Sequence, residues 1–138
     1  MAAYATPTDL ERLGLNATAL ASLGAPVVAA QLEATSRMAD GYLGNAFPLP
    51  LTAWSDELRA AVCKIAVFEL LSTRGYDPAR GADEIVRLRH DDAMRWLREV
   101  HAGKVRPVGM VGTATDTDPS PRRRSHLVVQ ADRGWGRR

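Results

Sequence analysis

Ser55-Asp56-Glu57-Leu58-Arg59-Ala60-Ala61-Val62-Cys63-Lys64-Ile65-Ala66-Val67-Phe68-Glu69-Leu70-Leu71 decides the fold of this 138-residue chain. Leu58, Val62, Ile65, Phe68 and Leu71 recur at intervals of three and four, the period of a helix with one broad apolar face. Ala60, Ala61 and Ala66 let neighbouring elements approach closely. Ser55 offers an N-cap oxygen, and Asp56 and Glu57 place negative charge where the helix dipole favours it. The segment reads as a central, buried helix.

Working outward, the neighbours carry matching stripes. Upstream, Val28, Leu32, Ala39 and Tyr42–Leu43 repeat near helical period, predicting a helix from Pro26 to about Leu43. A short first helix begins after Thr6, with Pro7 at the first helical position and Asp9 completing a Thr-x-x-Asp cap; Gly14 ends it. Between them, Leu20 and Leu23 lie in a small-residue connection that can hold one more short turn. Downstream, Gly75-Tyr76-Asp77-Pro78 is turn chemistry. A last helix is expected from about Gly81 to His101, its stripe being Ile85, Leu88, Ala93, Trp96, Leu97 and Val100, with Gly103 beyond its end. Phe47-Pro48-Leu49-Pro50-Leu51 is excluded from helix, because each proline drives the residue before it into extended conformation. The expected fold is all-α: four main helices with an extended C-terminal arm containing a short strand.

After Lys104 the periodicity vanishes. Residues 105–121 are rich in Gly, Pro, Thr and Asp, the composition of a flexible linker. Residues 122–138 form a basic arm with six arginines against one acid. The whole chain has 18 basic and 16 acidic residues, so the remainder holds twelve against fifteen: the body is −3 and the arm +5. The arm also contains a β-prone run, Leu127-Val128-Val129-Gln130, and an aromatic, Trp135, between two glycines. Three parts are therefore expected: a helical domain at 1–104, a linker at 105–121 and a docking arm at 122–138.

Enzyme chemistry finds no foothold. His90, His101 and His126 are scattered. The cluster His90-Asp91-Asp92 sits on consecutive helical positions, whose side chains diverge. Ser55 and Ser72 lack a histidine or glycine-elbow context. Gly109-Met110-Val111-Gly112 lacks the lysine and following helix of a phosphate loop. No catalytic residue, metal ligand or cofactor is expected. Cys63, the single cysteine, lies in an apolar run and reads as a small core residue, so no disulfide framework is possible. No secretory leader and no apolar run approaching 18 residues is visible, so a protein made in a reducing compartment, with no membrane partner, is expected.

The arm admits two readings. Arg122, Arg123, Arg124 and Arg133 could neutralise phosphates, giving salt-sensitive, sequence-blind binding by a small DNA-binding or packaging accessory protein. The acidic body shows no basic helix face to support it. Leu127, Val128, Val129 and Gln130 suit instead an edge strand added to another chain's sheet, with Trp135 as an anchor.

Several body motifs carry a resemblance. Tyr4-Ala5-Thr6-Pro7-Thr8-Asp9-Leu10, Asp40-Gly41-Tyr42-Leu43, Phe47-Pro48-Leu49-Pro50-Leu51, Leu58-Arg59 with Ile65-Ala66, Asp92-Ala93 with Arg95-Trp96-Leu97, and Gly103-Lys104 occur in order over roughly 4–105. Together they resemble the phage-Mu-like prophage family of head–tail connector (neck adaptor) proteins. The chain departs from that pattern at Ala46 and Phe47, where an arginine and a tyrosine are usual, and at His90, where a tyrosine is usual. The resemblance implies a non-enzymatic virion protein, made in the host cytoplasm and placed at the head–tail interface. It implies a homo-oligomeric ring of about a dozen copies under the portal protein, which meets a downstream neck or tail-completion protein and lines the exit channel of passing DNA. The arm residues Arg122–Arg124, Leu127–Gln130, Arg133 and Trp135 would engage the portal. Asp40, Tyr42, Leu43, Pro48, Pro50, Trp96 and Leu97 are expected to fix packing, and the strap at 47–51 and the partly exposed stripe of the last helix to offer one side of the lateral contact. A ring requires head-to-tail contacts between two different faces of the subunit.

Overall fold

The computed structural model describes residues 3–73 and 81–113. These form five helices and a two-stranded sheet: α1 (Pro7–Leu13), α2 (Ala17–Leu23), α3 (Ala25–Leu43), β1 (Leu51–Ala53), α4 (Asp56–Ser72), α5 (Gly81–His101) and β2 (Val111–Gly112). The helical fold is the one expected. The region of Leu20 and Leu23 is a full short helix, α2, capped by Asn16, whose side chain accepts from the Ala19 N–H at 2.8 Å.

α4 is the hub. Leu58, Ala61, Val62, Cys63, Ile65, Ala66, Val67 and Leu70 are all buried, and the helix packs against α1, α3 and α5. Burial on so many sides requires small residues among the large, which is why three alanines sit in this helix. Ser55 caps it, accepting from the Leu58 N–H at 3.2 Å. α3 contributes Val28, Leu32, Ala39 and Leu43, and α5 contributes Ala93, Leu97 and Val100.

The helix ends follow their sequence signals. Thr6 and Asp9 form the reciprocal capping box of α1. Gly14 closes α1 with an extended φ of −172°, so its role is steric. A Cβ there would lie 3.1 Å from a Val67 methyl, and the missing side chain lets α1 approach α4. Gly103 takes φ +75° after α5. There Lys104 N–H reaches Glu99 O at 2.9 Å and Gly103 N–H reaches Val100 O at 3.0 Å, the paired bonds of a Schellman motif.

The stripe of α5 is partly exposed, as expected: Ala93, Leu97 and Val100 are buried and Trp96 is half-buried, whereas Ile85 and Leu88 are 52% and 51% exposed. Helical period marks a face, but not whether another element covers it. Residues 105–113, composed like linker, instead pack on the body. Pro107 is buried, Val105 and Met110 rest against the core, and β2 pairs antiparallel with β1, Leu51 opposite Gly112 and Ala53 opposite Val111. The strand has two residues and its partner is about 60 positions away, so no local pattern announces it. The expected strand at Leu127–Gln130 lies outside the described residues.

Candidate functional site

The arm residues Arg122, Arg123, Arg124, Leu127, Val128, Val129, Gln130, Arg133 and Trp135 also lie outside the described residues. What the structure places is the body and the motif residues within it.

The N-terminal segment is pinned by three long-range bonds. Tyr4 N–H donates to Ser36 Oγ at 2.9 Å, the Tyr4 hydroxyl donates to an Asp40 carboxylate oxygen, and Trp54 Nε1–H donates to the Tyr4 carbonyl at 2.9 Å. The Tyr4 and Trp54 rings meet edge to face, centroids 5.0 Å apart. Burial, reinforced by the Asp40 carboxylate, pushes the Tyr4 phenol well above its ordinary range. Among the described residues Asp40 Oδ2 is buried without a hydrogen-bond partner, while the bond from Tyr4 ties the N-terminal segment to Asp40 of α3. Leu43 and Leu97 are wholly buried core residues.

Tyr42 is half-buried, its ring edge-on to His101 at 6.2 Å, and its carbonyl lies 3.2 Å from His101 Nδ1. Asn45 Nδ2 donates to the His101 carbonyl at 2.9 Å, so the end of α5 is tied to the turn after α3. Pro48 and Pro50 are exposed on the strap, between buried Phe47 and Leu51. His90 stacks on Phe68 with centroids 4.2 Å apart. Ser55 is spent on a cap, and Ser72 Oγ donates to the Phe68 carbonyl at 2.8 Å. Burial, with Asp9 adding to it against Arg59, pushes the Cys63 thiol up to about 12. Among the described residues no three of His, Cys, Asp and Glu converge as a metal site, and no single helix is long and apolar enough to cross a membrane.

The notable surface lies along α4 and α5. Ile85, Leu88, Asp92 and Trp96 follow one another at intervals of three and four, so they form one row along α5. Beside the row runs an open groove of roughly 370 Å³, lined by Glu57, Ala60, Ala61 and Lys64 of α4 and by Asp92, Ala93 and Trp96 of α5. Trp96 is half-buried and packs against the core. The sequence reading placed Trp96 in the apolar stripe but missed Glu57 and Lys64 as its neighbours. Asp92, one turn away from Trp96, was the available signal for a polar rim.

The model of the family described as "Bacteriophage Mu, Gp36" matches residues 1–127 of this chain. The chain belongs to the bacteriophage Mu Gp36 family. Two relatives agree with that placement. "Gene product J" of Escherichia phage Mu is 32% identical over 101 residues, covering 73% of this chain and 64% of that protein. "Mu-like prophage FluMu protein gp36" of Haemophilus influenzae is 28% identical over 116 residues, covering 84% of this chain and 74% of that protein. This Gp36-family chain is thus a phage protein, and it spans a little under two thirds of the phage Mu relative. The family match takes in the whole described body and continues through Arg122–Arg124 to Leu127.

Proposed function

We propose that this Gp36-family chain is a non-catalytic virion protein of the head–tail interface, a connector that forms a ring beneath the portal and lines the DNA exit channel. The observation that carries the reading is the family match over residues 1–127, joined to the ordered motifs at 4–105 that resemble head–tail connectors. The described body suits such a part. It is small, has a buried helical core, and exposes apolar side chains at Ile85 and Leu88. Large apolar side chains left in water mark sites of association when they cluster with polar rims.

In this reading the body closes into a ring by heterologous contacts, the outer row of α5 and the strap of one copy meeting a different face of the next. The arm leaves the body after β2 and reaches the portal. There Leu127–Gln130 adds a strand or threads a crevice, Trp135 anchors it, and the arginines pair with portal acids. A downstream neck protein meets the opposite face, and genomic DNA passes without sequence recognition.

Deletion of residues 120–138 tests the docking step. The truncated chain should keep its helical circular dichroism and lose binding to the portal of its own phage; undiminished binding refutes the role of the arm. The alternative, a DNA-binding accessory protein, makes the opposite forecast: no portal association, and DNA affinity that collapses between low and moderate salt.

A further inference from the structure

The groove between α4 and α5 has the chemistry of a guanidinium site. Its lining combines the small side chains of Ala60, Ala61 and Ala93 with the exposed carboxylates of Glu57 and Asp92 and the half-buried indole of Trp96. A cation over an indole is attracted by the ring's quadrupole, and arginine is the commoner such partner. Two nearby carboxylates add charge-assisted hydrogen bonds of fork geometry. Lys64 is the one cation among the lining residues, so the groove carries two acids against one base.

Asp92 already has a neighbour, Arg95 Nη1 at 3.5 Å, three residues on. Both side chains are more than two-thirds exposed. Such a pair is weak and screened, and a better-placed guanidinium displaces it readily. The cation the groove fits is present in the same chain. Residues 122–138 bring six arginines and a net charge of +5 to a body of net −3. The described chain ends at Thr113, which leaves eight residues before Arg122. Extended, these span up to about 30 Å, on the order of a small domain's diameter.

We infer that Arg122–Arg124 of the chain's own arm occupy the α4/α5 groove, with one guanidinium stacked on Trp96 between Glu57 and Asp92. The arm is thereby held on its own body. The groove shares Asp92 and Trp96 with the α5 row that the neck reading gives to lateral contact; one consequence rests on that reading, namely that a portal must compete for an arm that is already sheathed.

The test uses the full chain and follows the Trp96 indole N–H resonance, assigned by Trp96→Phe. At low salt the triple variant Arg122→Ser, Arg123→Ser, Arg124→Ser should move this resonance. Raising salt until the Debye length falls to about 3 Å, near 1 M, should move the wild-type resonance to the same place. In the Glu57→Lys, Asp92→Lys background the arginine substitutions should have no further effect. The arginine variant alters no described core residue, so its helicity serves as an internal control of folding. A Trp96 resonance identical in wild type and triple variant at low salt overturns the proposal. A difference that grows with protein concentration overturns it as well, by assigning the groove to the arm of a second copy.

Discussion

Gly112 lies flush against Pro48. A Cβ built on Gly112 would sit 1.8 Å from the Pro48 carbonyl oxygen and 2.6 Å from its ring, so the two backbones meet where no side chain fits. This contact, with the Thr113 N–H donating to the Pro50 carbonyl at 2.9 Å, fastens the exit of the C-terminal segment to the strap. Gly112→Ala should force β2 off β1 and cost about 1–3 kcal/mol, the range for overpacking a tight site. Amide exchange at Leu51–Ala53 reads the result: protection should fall there and persist within α4.

Tyr4 is the second fastening. Tyr4→Phe leaves Asp40 without its phenolic donor, and Asp40 Oδ2 is already unpartnered. Leaving a buried carboxylate unpaired in that way should destabilise the fold by about 1–3 kcal/mol in urea unfolding. The raised phenol adds a pH signature. A folded pKa above the ordinary value of 10.0 gives stability that is complete below pH 10 and declines as pH climbs beyond it. The decline should be shallower in Tyr4→Phe.

The acid side belongs to Asp9. Burial alone would raise its carboxyl, but the Thr6 backbone and side-chain hydrogen bonds, with Arg59 and Arg12 nearby, hold it below the ordinary 3.8. Its contribution is therefore present above that value and disappears as pH falls through the lowered folded value. Asp9→Asn should flatten the acid limb of the stability profile. Thr6→Ala, which removes the N-cap oxygen, should cost about 0.5–2 kcal/mol at neutral pH.

Cys63 should be chemically silent. The thiolate is the reactive form, and burial pushes this thiol up to about 12. At pH 8 a disulfide reagent should label it only as fast as the chain opens, and at once in denaturant. Rapid labelling of the native protein would mean that α4 is not the closed hub of the core.

Much of this was legible in the chain. The stripe from Leu58 to Leu71, the Thr6–Asp9 box, Ser55 and Gly103 all signal through neighbours a few residues away, and helices are built from such local terms. Ile85 and Leu88 belong to an equally regular stripe yet face solvent, because period reports direction and not coverage. Val111–Gly112 and the bond from Tyr4 to Asp40 depend on partners tens of residues distant, beyond the reach of local pattern. The groove beside Trp96 likewise needs α4 and α5 side by side before Glu57 and Asp92 become neighbours.

The most direct measurement is an image, at side-chain resolution, of the intact neck of the particle that carries this protein. A closed ring of copies between portal and tail, helical bodies touching through the Ile85–Leu88 row and residues 122–138 seated on the portal, is what the account predicts. A neck fully assembled without this chain, or a ring whose copies leave those residues loose in solvent, would contradict it.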